Sequence, residues 1–187
     1  MEAFACRRHH TVAPGTRADR RPTLNHPPIA ENSQAGPSLE DIRRAVDDMV
    51  PFQRLVGTEL VELTAERAVA RLPETPETLN HVGTQHAAAL FLVAESAAGA
   101  ALAGALRERV LETVFVLRDS RIEYHRKALG RIQAVAVIPD GEVPVGFAEF
   151  PNGERFEALV RSELYDGEGQ RVAEAAFRYH CRIRATH

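Results

Sequence analysis

Between Ala87 and Leu106, twenty consecutive positions carry only two polar side chains, Glu95 and Ser96, and ten of the others are alanine. No polar stripe recurs at helical spacing, so a helix built from this run must be hidden on all sides. A stretch of about 18 apolar residues also raises the question of a membrane span. Alanine is only weakly hydrophobic, a carboxylate at mid-span is expensive in lipid, and amphipathic strand-like runs lie on both sides. The segment therefore reads as the buried central helix of a globular domain. Its small side chains let a sheet curl closely around it.

The flanking sequence supplies that sheet. Ser38 is a good N-cap, with Asp41 in the first turn. Leu39, Ile42, Val46 and Met49 recur at helical spacing, which predicts a short amphipathic helix ending near Val50 and Pro51. Residues 58–64 and 67–72 read as a pair of strands split by Ala65 and Glu66, and Pro73 and Pro76 open a loop reaching Thr84. After the long helix, spanning 86–107, four more runs read as strands: 113–124, 131–138, 156–165 and 172–184. In the last of these Ala173, Ala175, Phe177, Tyr179, Cys181 and Ile183 share one face, with Glu174, Arg178, His180, Arg182 and Arg184 on the other. Helix, two strands, long helix, four strands is an α+β order, an antiparallel sheet with its helices on one side.

Ahead of this domain, assigned to residues 38–187, residues 1–37 hold five of the eleven prolines and no helix or strand period. They read as a disordered N-terminal tail. Cys6, Arg7, Arg8, His9 and His10 could bind a metal ion, but nothing nearby completes a tetrahedral set. The net charge of −3 gives no electrostatic reason to expect nucleic acid or an anionic membrane as partner. The two cysteines, Cys6 and Cys181, lie at opposite ends and form no disulfide framework, which favours a reducing compartment, the cytoplasm. No metal or redox cofactor is implied.

Glu95 is the chemical focus. It reads either as a carboxylate at a wet subunit interface, satisfied by an arginine, or as a general base whose pKa is raised by desolvation. Ser96 needs no role, because a serine can bond back within its own helix. Thr84 is the expected N-cap, which would place Gln85, His86 and Ala87 in the first turn, with amide N–H groups suited to an oxyanion. His86 itself reads either as a catalytic side chain or as a first-turn residue without chemistry. Ala87 and Glu95 are eight positions apart, hence roughly 12 Å along the helix axis. One reacting carbon and its attacking water cannot comfortably meet both, so joint use of the two requires a second copy of the chain across a two-fold axis.

With Asn80, Gly83, His86 and Glu95 in register, the chain resembles the hotdog-fold thioesterases of the phenylacetate-pathway and acyl-CoA type. Their pattern is an Asn, a Gly, then His-Gly-Gly opening the central helix, with an acid nine positions after the His. The resemblance covers about residues 50–184 and implies a hotdog fold and hydrolysis of acyl-CoA or acyl-carrier-protein thioesters. It implies that Asn80 and the N–H of Ala87 polarise the thioester carbonyl while Glu95 of a partner subunit activates water or attacks directly. Coenzyme A enters only as part of the substrate, and the assembly implied is a homodimer, or a tetramer built as a dimer of dimers. The chain departs from the pattern in two respects. Ala87 and Ala88 replace Gly-Gly, and the Ser or Thr that many relatives place beside the acid on the following strand has Leu117 or Thr113 as its nearest equivalent. An Ala-rich, Glu-bearing version of the helix looks most like a separate branch of the superfamily.

Gly83 is a candidate substrate contact in the loop. Arg126 and Lys127, after a strand, could meet CoA phosphates or form a solvated strand end. The helix near Phe52 and residues 143–150 could line an acyl pocket or be ordinary core or loop. Two other functions compete with hydrolysis. A hydroxyacyl-thioester dehydratase would use His81 and Glu95, fourteen positions apart, though the thioesterase register matches at more positions. A non-catalytic hotdog subunit would bind acyl-CoA without turning it over.

Overall fold

A computed structural model describes residues 36–184. The expected tail, with its cluster at residues 6–10, lies outside the described residues except for Gly36 and Pro37. α1 (Leu39–Met49) begins with a capping box: the Ser38 side chain accepts from the Asp41 amide at 3.1 Å, and Asp41 accepts from the Ser38 amide at 3.3 Å. The helix then clamps the first strand. The Leu60 amide donates to Asp47 Oδ1 at 2.8 Å, and Arg43 donates to the Leu60 carbonyl at 2.9 Å.

α1 ends at Met49 with Val50 extended, at the boundary near Val50 and Pro51 that the sequence predicts, but Pro51 opens more helix. A second short helix, α2 (Pro51–Val56), starts there with proline in its first turn and ends on Gly57 in the left-handed region at φ 78°. Both are strong boundary signals, proline being tolerated where the amide is unpaired anyway and glycine taking a positive φ without penalty.

Six strands follow: β1 (Glu59–Leu63), β2 (Arg67–Leu72), β3 (Thr113–Tyr124), β4 (Ile132–Val137), β5 (Arg155–Tyr165) and β6 (Arg171–Ile183). They form one sheet in the order β1-β2-β4-β5-β6-β3, every neighbouring pair antiparallel. The central helix α3 (Ala87–Ala105) lies in its hollow, packed mainly on β2, β4 and β5. This is the hotdog arrangement, α+β with the sheet wrapped around one long helix.

Small residues on both partners set the closeness of that packing. Ala68, Ala70, Ala134 and Ala136 on the strands are fully buried, as are Ala94, Ala97, Ala98, Ala100 and Ala101 on the helix. At Gly104 the approach is closest: a Cβ there would stand 2.3 Å from the Thr64 carbonyl oxygen. By length and composition α3 could cross a membrane, but two thirds of that apolar stretch is buried inside the protein, as a core helix should be. Larger side chains in the same core, Phe177, Leu102, Leu106 and Ile132, add about 1.5–3 kcal/mol each when fully buried. The β6 alternation holds as read, with Phe177, Tyr179, Cys181 and Ile183 buried against the core.

Candidate active site

The loop entering α3 is organised by Asn80. Its Oδ1 accepts from the amides of Val82 at 3.0 Å and Thr84 at 3.1 Å, while Nδ2 donates to Thr84 Oγ1 at 2.8 Å and the Gln85 carbonyl at 3.4 Å. Gly83 completes the turn at φ 73°, its amide donating to the Asn80 carbonyl at 3.0 Å. With its hydroxyl engaged by Asn80, Thr84 does not cap the helix, and a bridge between Leu79 and Gln85 holds the chain extended past it. The helix therefore starts later than the sequence predicts. His86 is the N-cap, its Nδ1 accepting from the Ala88 amide at 3.0 Å, and Ala87 is the first helical residue.

That shift singles out one donor. The Ala89 and Leu90 amides donate to the His86 carbonyl and the Ala88 amide to its ring, whereas the amide of Ala87, an exposed residue, has no acceptor among the described residues. It lies at the positive end of a 19-residue helix, where an anion is favoured.

Three further hydrogen bonds bring the end of β3 and the loop after it to this end of α3. Gln85 donates from its backbone to the Ala128 carbonyl at 3.0 Å and from Nε2 to the Gly130 carbonyl at 2.9 Å. The Tyr124 hydroxyl donates to the Ala87 carbonyl at 3.0 Å. Arg126 and Lys127, both exposed, thus stand on a segment fastened to the helix start; Arg126 also donates to Gln170 at 3.2 Å.

Glu95 lies two turns further along α3. Phe91, Glu95 and Gly99, at four-residue spacing, are partly exposed in a helix that is otherwise largely buried, so they mark one narrow open stripe. Phe91 meets Phe177 edge-on at 5.5 Å, and the Glu95 carboxylate accepts from the Tyr179 hydroxyl at 3.3 Å. Burial pushes the Glu95 carboxyl above its usual value, a rise the Tyr179 hydrogen bond partly offsets. No arginine pairs with Glu95 among the described residues. Ser96 donates to the Leu92 carbonyl at 2.7 Å, the local back-bond read from sequence.

Beyond the stripe lies β3, bound on one side only, by β6. It leaves Val114, Val116, Leu117 and Tyr124 exposed. Leu117 sits opposite Tyr179 on the face toward α3, and Thr113 donates instead to the Arg109 carbonyl at 2.8 Å.

A family model described as "Domain of unknown function (DUF4442)" matches residues 40–181. The chain belongs to the DUF4442 family. Comparison with curated proteins gives no match. Among solved structures this DUF4442 chain is similar to PA5026 of Pseudomonas aeruginosa, described as a protein of unknown function and probable thioesterase. The TM-score is 0.66 at 22% identity, over 80% of this chain and 99% of that one. A thioesterase family protein of Silicibacter pomeroyi gives a TM-score of 0.63 at 17% identity, over 78% and 99%. The PaaI protein of the E. coli phenylacetic acid degradation operon gives 0.60 at 17%, over 79% and 95%. At these identities the likeness establishes the hotdog fold.

Of the residues singled out by sequence, the DUF4442 chain gathers Asn80, Gly83, His86, Ala87, Arg126 and Lys127 at one end of α3. It holds Glu95 roughly 12 Å along the axis from Ala87. His81 is exposed in the same loop. Phe147 and Phe150 pack on Phe156 at 6.3 and 6.0 Å, which makes part of residues 143–150 ordinary core, whereas Phe52 is exposed. Tyr179 is the residue sequence reasoning missed. Its alternation on β6 marks it as core, and nothing in the sequence links it to a carboxylate 84 positions away.

Proposed function

We propose that this protein hydrolyses acyl thioesters of coenzyme A or acyl-carrier protein in a site shared by two subunits. The observation that carries this reading is the desolvated Glu95, paired with no arginine among the described residues, in the one open stripe of an otherwise largely buried helix. A carboxylate kept basic by burial is suited to removing a proton from water. In the step proposed, Glu95 takes the proton, the water oxygen bonds to the carbonyl carbon, and the carbon–sulfur bond breaks as the thiolate leaves and is protonated. The carbonyl oxygen, gaining negative charge, accepts from the Ala87 amide and from the Asn80 Nδ2–H now spent on the long 3.4 Å contact. His86 serves as the cap that fixes the helix start. Gly83 shapes the loop, and Arg126 and Lys127 stand where the phosphates of coenzyme A would approach the same end.

Because Ala87 and Glu95 of one chain are too far apart to meet one thioester, the acid comes from a second copy. The exposed Leu117 and Tyr124 of β3, beside the open stripe, are the surface such a copy would cover. The names of similar folds, a probable thioesterase and a thioesterase family protein, agree with this chemistry.

The experiment is thiol release from a panel of acyl-CoAs, with crotonyl-CoA hydration run alongside, for the parent and Glu95→Gln. Hydrolysis that falls by about 10²–10⁴ in the variant supports the proposal. Hydration without thiol release, or a Glu95→Gln enzyme as fast as the parent, would overturn it.

A further inference from the structure

Glu95 is the sole titratable residue of α3. The strands beneath it bring little charge: β2, β4 and β5 turn aliphatic residues and Ser162 inward, and Ser162 donates to the Ala94 carbonyl at 3.0 Å. From α1, Arg43 and Asp47 face each other at 3.5 Å and are spent on the Leu60 backbone. On its inward face β6 adds two titratable groups, Tyr179 and Cys181, and burial pushes the Cys181 thiol up to about 12, so it stays neutral.

The Tyr179 ring is 2% exposed and held edge-on against Phe115 at 6.0 Å. Its hydroxyl faces two oxygens of one residue, Glu95 Oε1 at 3.3 Å and the Glu95 carbonyl at 3.5 Å. Gly99 lies beside the pair: a Cβ there would stand in ordinary contact, 3.6 Å from the hydroxyl and 3.9 Å from Oε1. Burial, and then the carboxylate beside it, hold the phenol well above its usual pKa, which makes it a permanent donor. Among the described residues no other side chain bonds the Glu95 carboxylate.

We propose that Tyr179 is the positioning residue of Glu95, fixing the carboxylate through Oε1 so that Oε2 is the oxygen presented to water in the open stripe. This deepens the hydrolase reading and, for its kinetic consequences, rests on it. The phenol–carboxylate distance exceeds the ordinary O–H···O range of about 2.5–3.0 Å, so the bond is weak. Its removal should raise the Glu95 pKa by about half a unit to one unit. The sign follows from charge: the donor favours the ionised form, so losing it favours the neutral acid.

The test is Tyr179→Phe, which keeps the ring, with the Glu95 carboxyl followed by carbon-13 NMR. The resonance is assigned by its loss in Glu95→Gln. The expected result is a pKa higher by about half a unit to one unit, with a matching upward move of the acid limb of the pH–rate profile. Incorporating 3-fluorotyrosine, a more acidic phenol of nearly the same shape, should move the same resonance downward. A pKa unchanged in both proteins, or moved the same way by both, overturns the proposal. Should Tyr179→Phe fold poorly, the fluorotyrosine protein decides alone, by a downward shift or none. The NMR result stands apart from the hydrolase reading, which falls only if Glu95→Gln still turns over thioester.

Discussion

Two glycines in α3 should respond in opposite directions to the same substitution. In the middle of a helix, Gly→Ala gains about 0.8–1.0 kcal/mol through backbone entropy and propensity. At Gly99 the new Cβ would find its nearest atoms at 3.6 and 3.9 Å, ordinary contact, so Gly99→Ala should stabilise by roughly that amount. At Gly104 it would meet the Thr64 carbonyl oxygen at 2.3 Å and Leu63 Cδ1 at 3.0 Å. A backbone oxygen cannot swing aside as a side chain can, so the end of β1 must move off the helix. Overpacking of this kind costs about 1–3 kcal/mol, and a backbone clash this close belongs at the upper end. Setting about 3 kcal/mol of strain against about 1 kcal/mol of helix propensity leaves Gly104→Ala less stable by about 2 kcal/mol. For a domain of this size that is a fall in Tm of about 4–8 °C, against a rise of about 2–4 °C for Gly99→Ala. Thermal and urea denaturation followed by circular dichroism measure both. A Gly104→Ala protein as stable as the parent would refute the packing of α3 against the turn between β1 and β2.

The buried acid and the free amide give two more expectations. Because desolvation raises the Glu95 pKa in the folded chain, the native state binds the extra proton. Stability should therefore fall as pH rises from the ordinary carboxyl value of 4.5 to the raised folded value. Glu95→Gln removes that penalty, so its Tm advantage should grow from near zero below this window to a plateau above it; a difference independent of pH would contradict the desolvated acid. Ala87→Pro deletes one N–H at the first helical position, where proline is well tolerated and the extended His86 before it is already compatible. It should keep the parental Tm and lose about 10²–10³ in kcat, and an undiminished kcat would remove the Ala87 amide from the site.

The long helix and all six strands were legible in the sequence because each carries a period or a sharp boundary. The bounds of α2 as a separate element were also written there, as Pro51 and Gly57, but its six residues are too few to show a period. The helix start was misplaced for a tertiary reason. Thr84 is a good cap in isolation, and Asn80 takes its hydroxyl, so the helix waits for His86. Glu95 stood out because it is the one carboxylate in a run of alanine and other apolar residues. The loop cluster at Asn80 and the tether from Gln85 to Ala128 and Gly130 depend on partners up to 45 residues apart, which no local pattern encodes. Tyr179 was hidden for the same reason: alternation reports the face a side chain takes, and not what its hydroxyl meets.

The site built across a two-fold axis is tested most directly by pairing two inactive chains. Ala87→Pro and Glu95→Gln, co-expressed with different tags and purified as the mixed dimer, place both lesions in one site and neither in the other. Thiol release from the best acyl-CoA should then return to about half the parental value per dimer, one intact site of two. A mixed dimer that is folded and as inactive as either homodimer would mean that the Ala87 amide and Glu95 serve the same site from one chain, or do not act together.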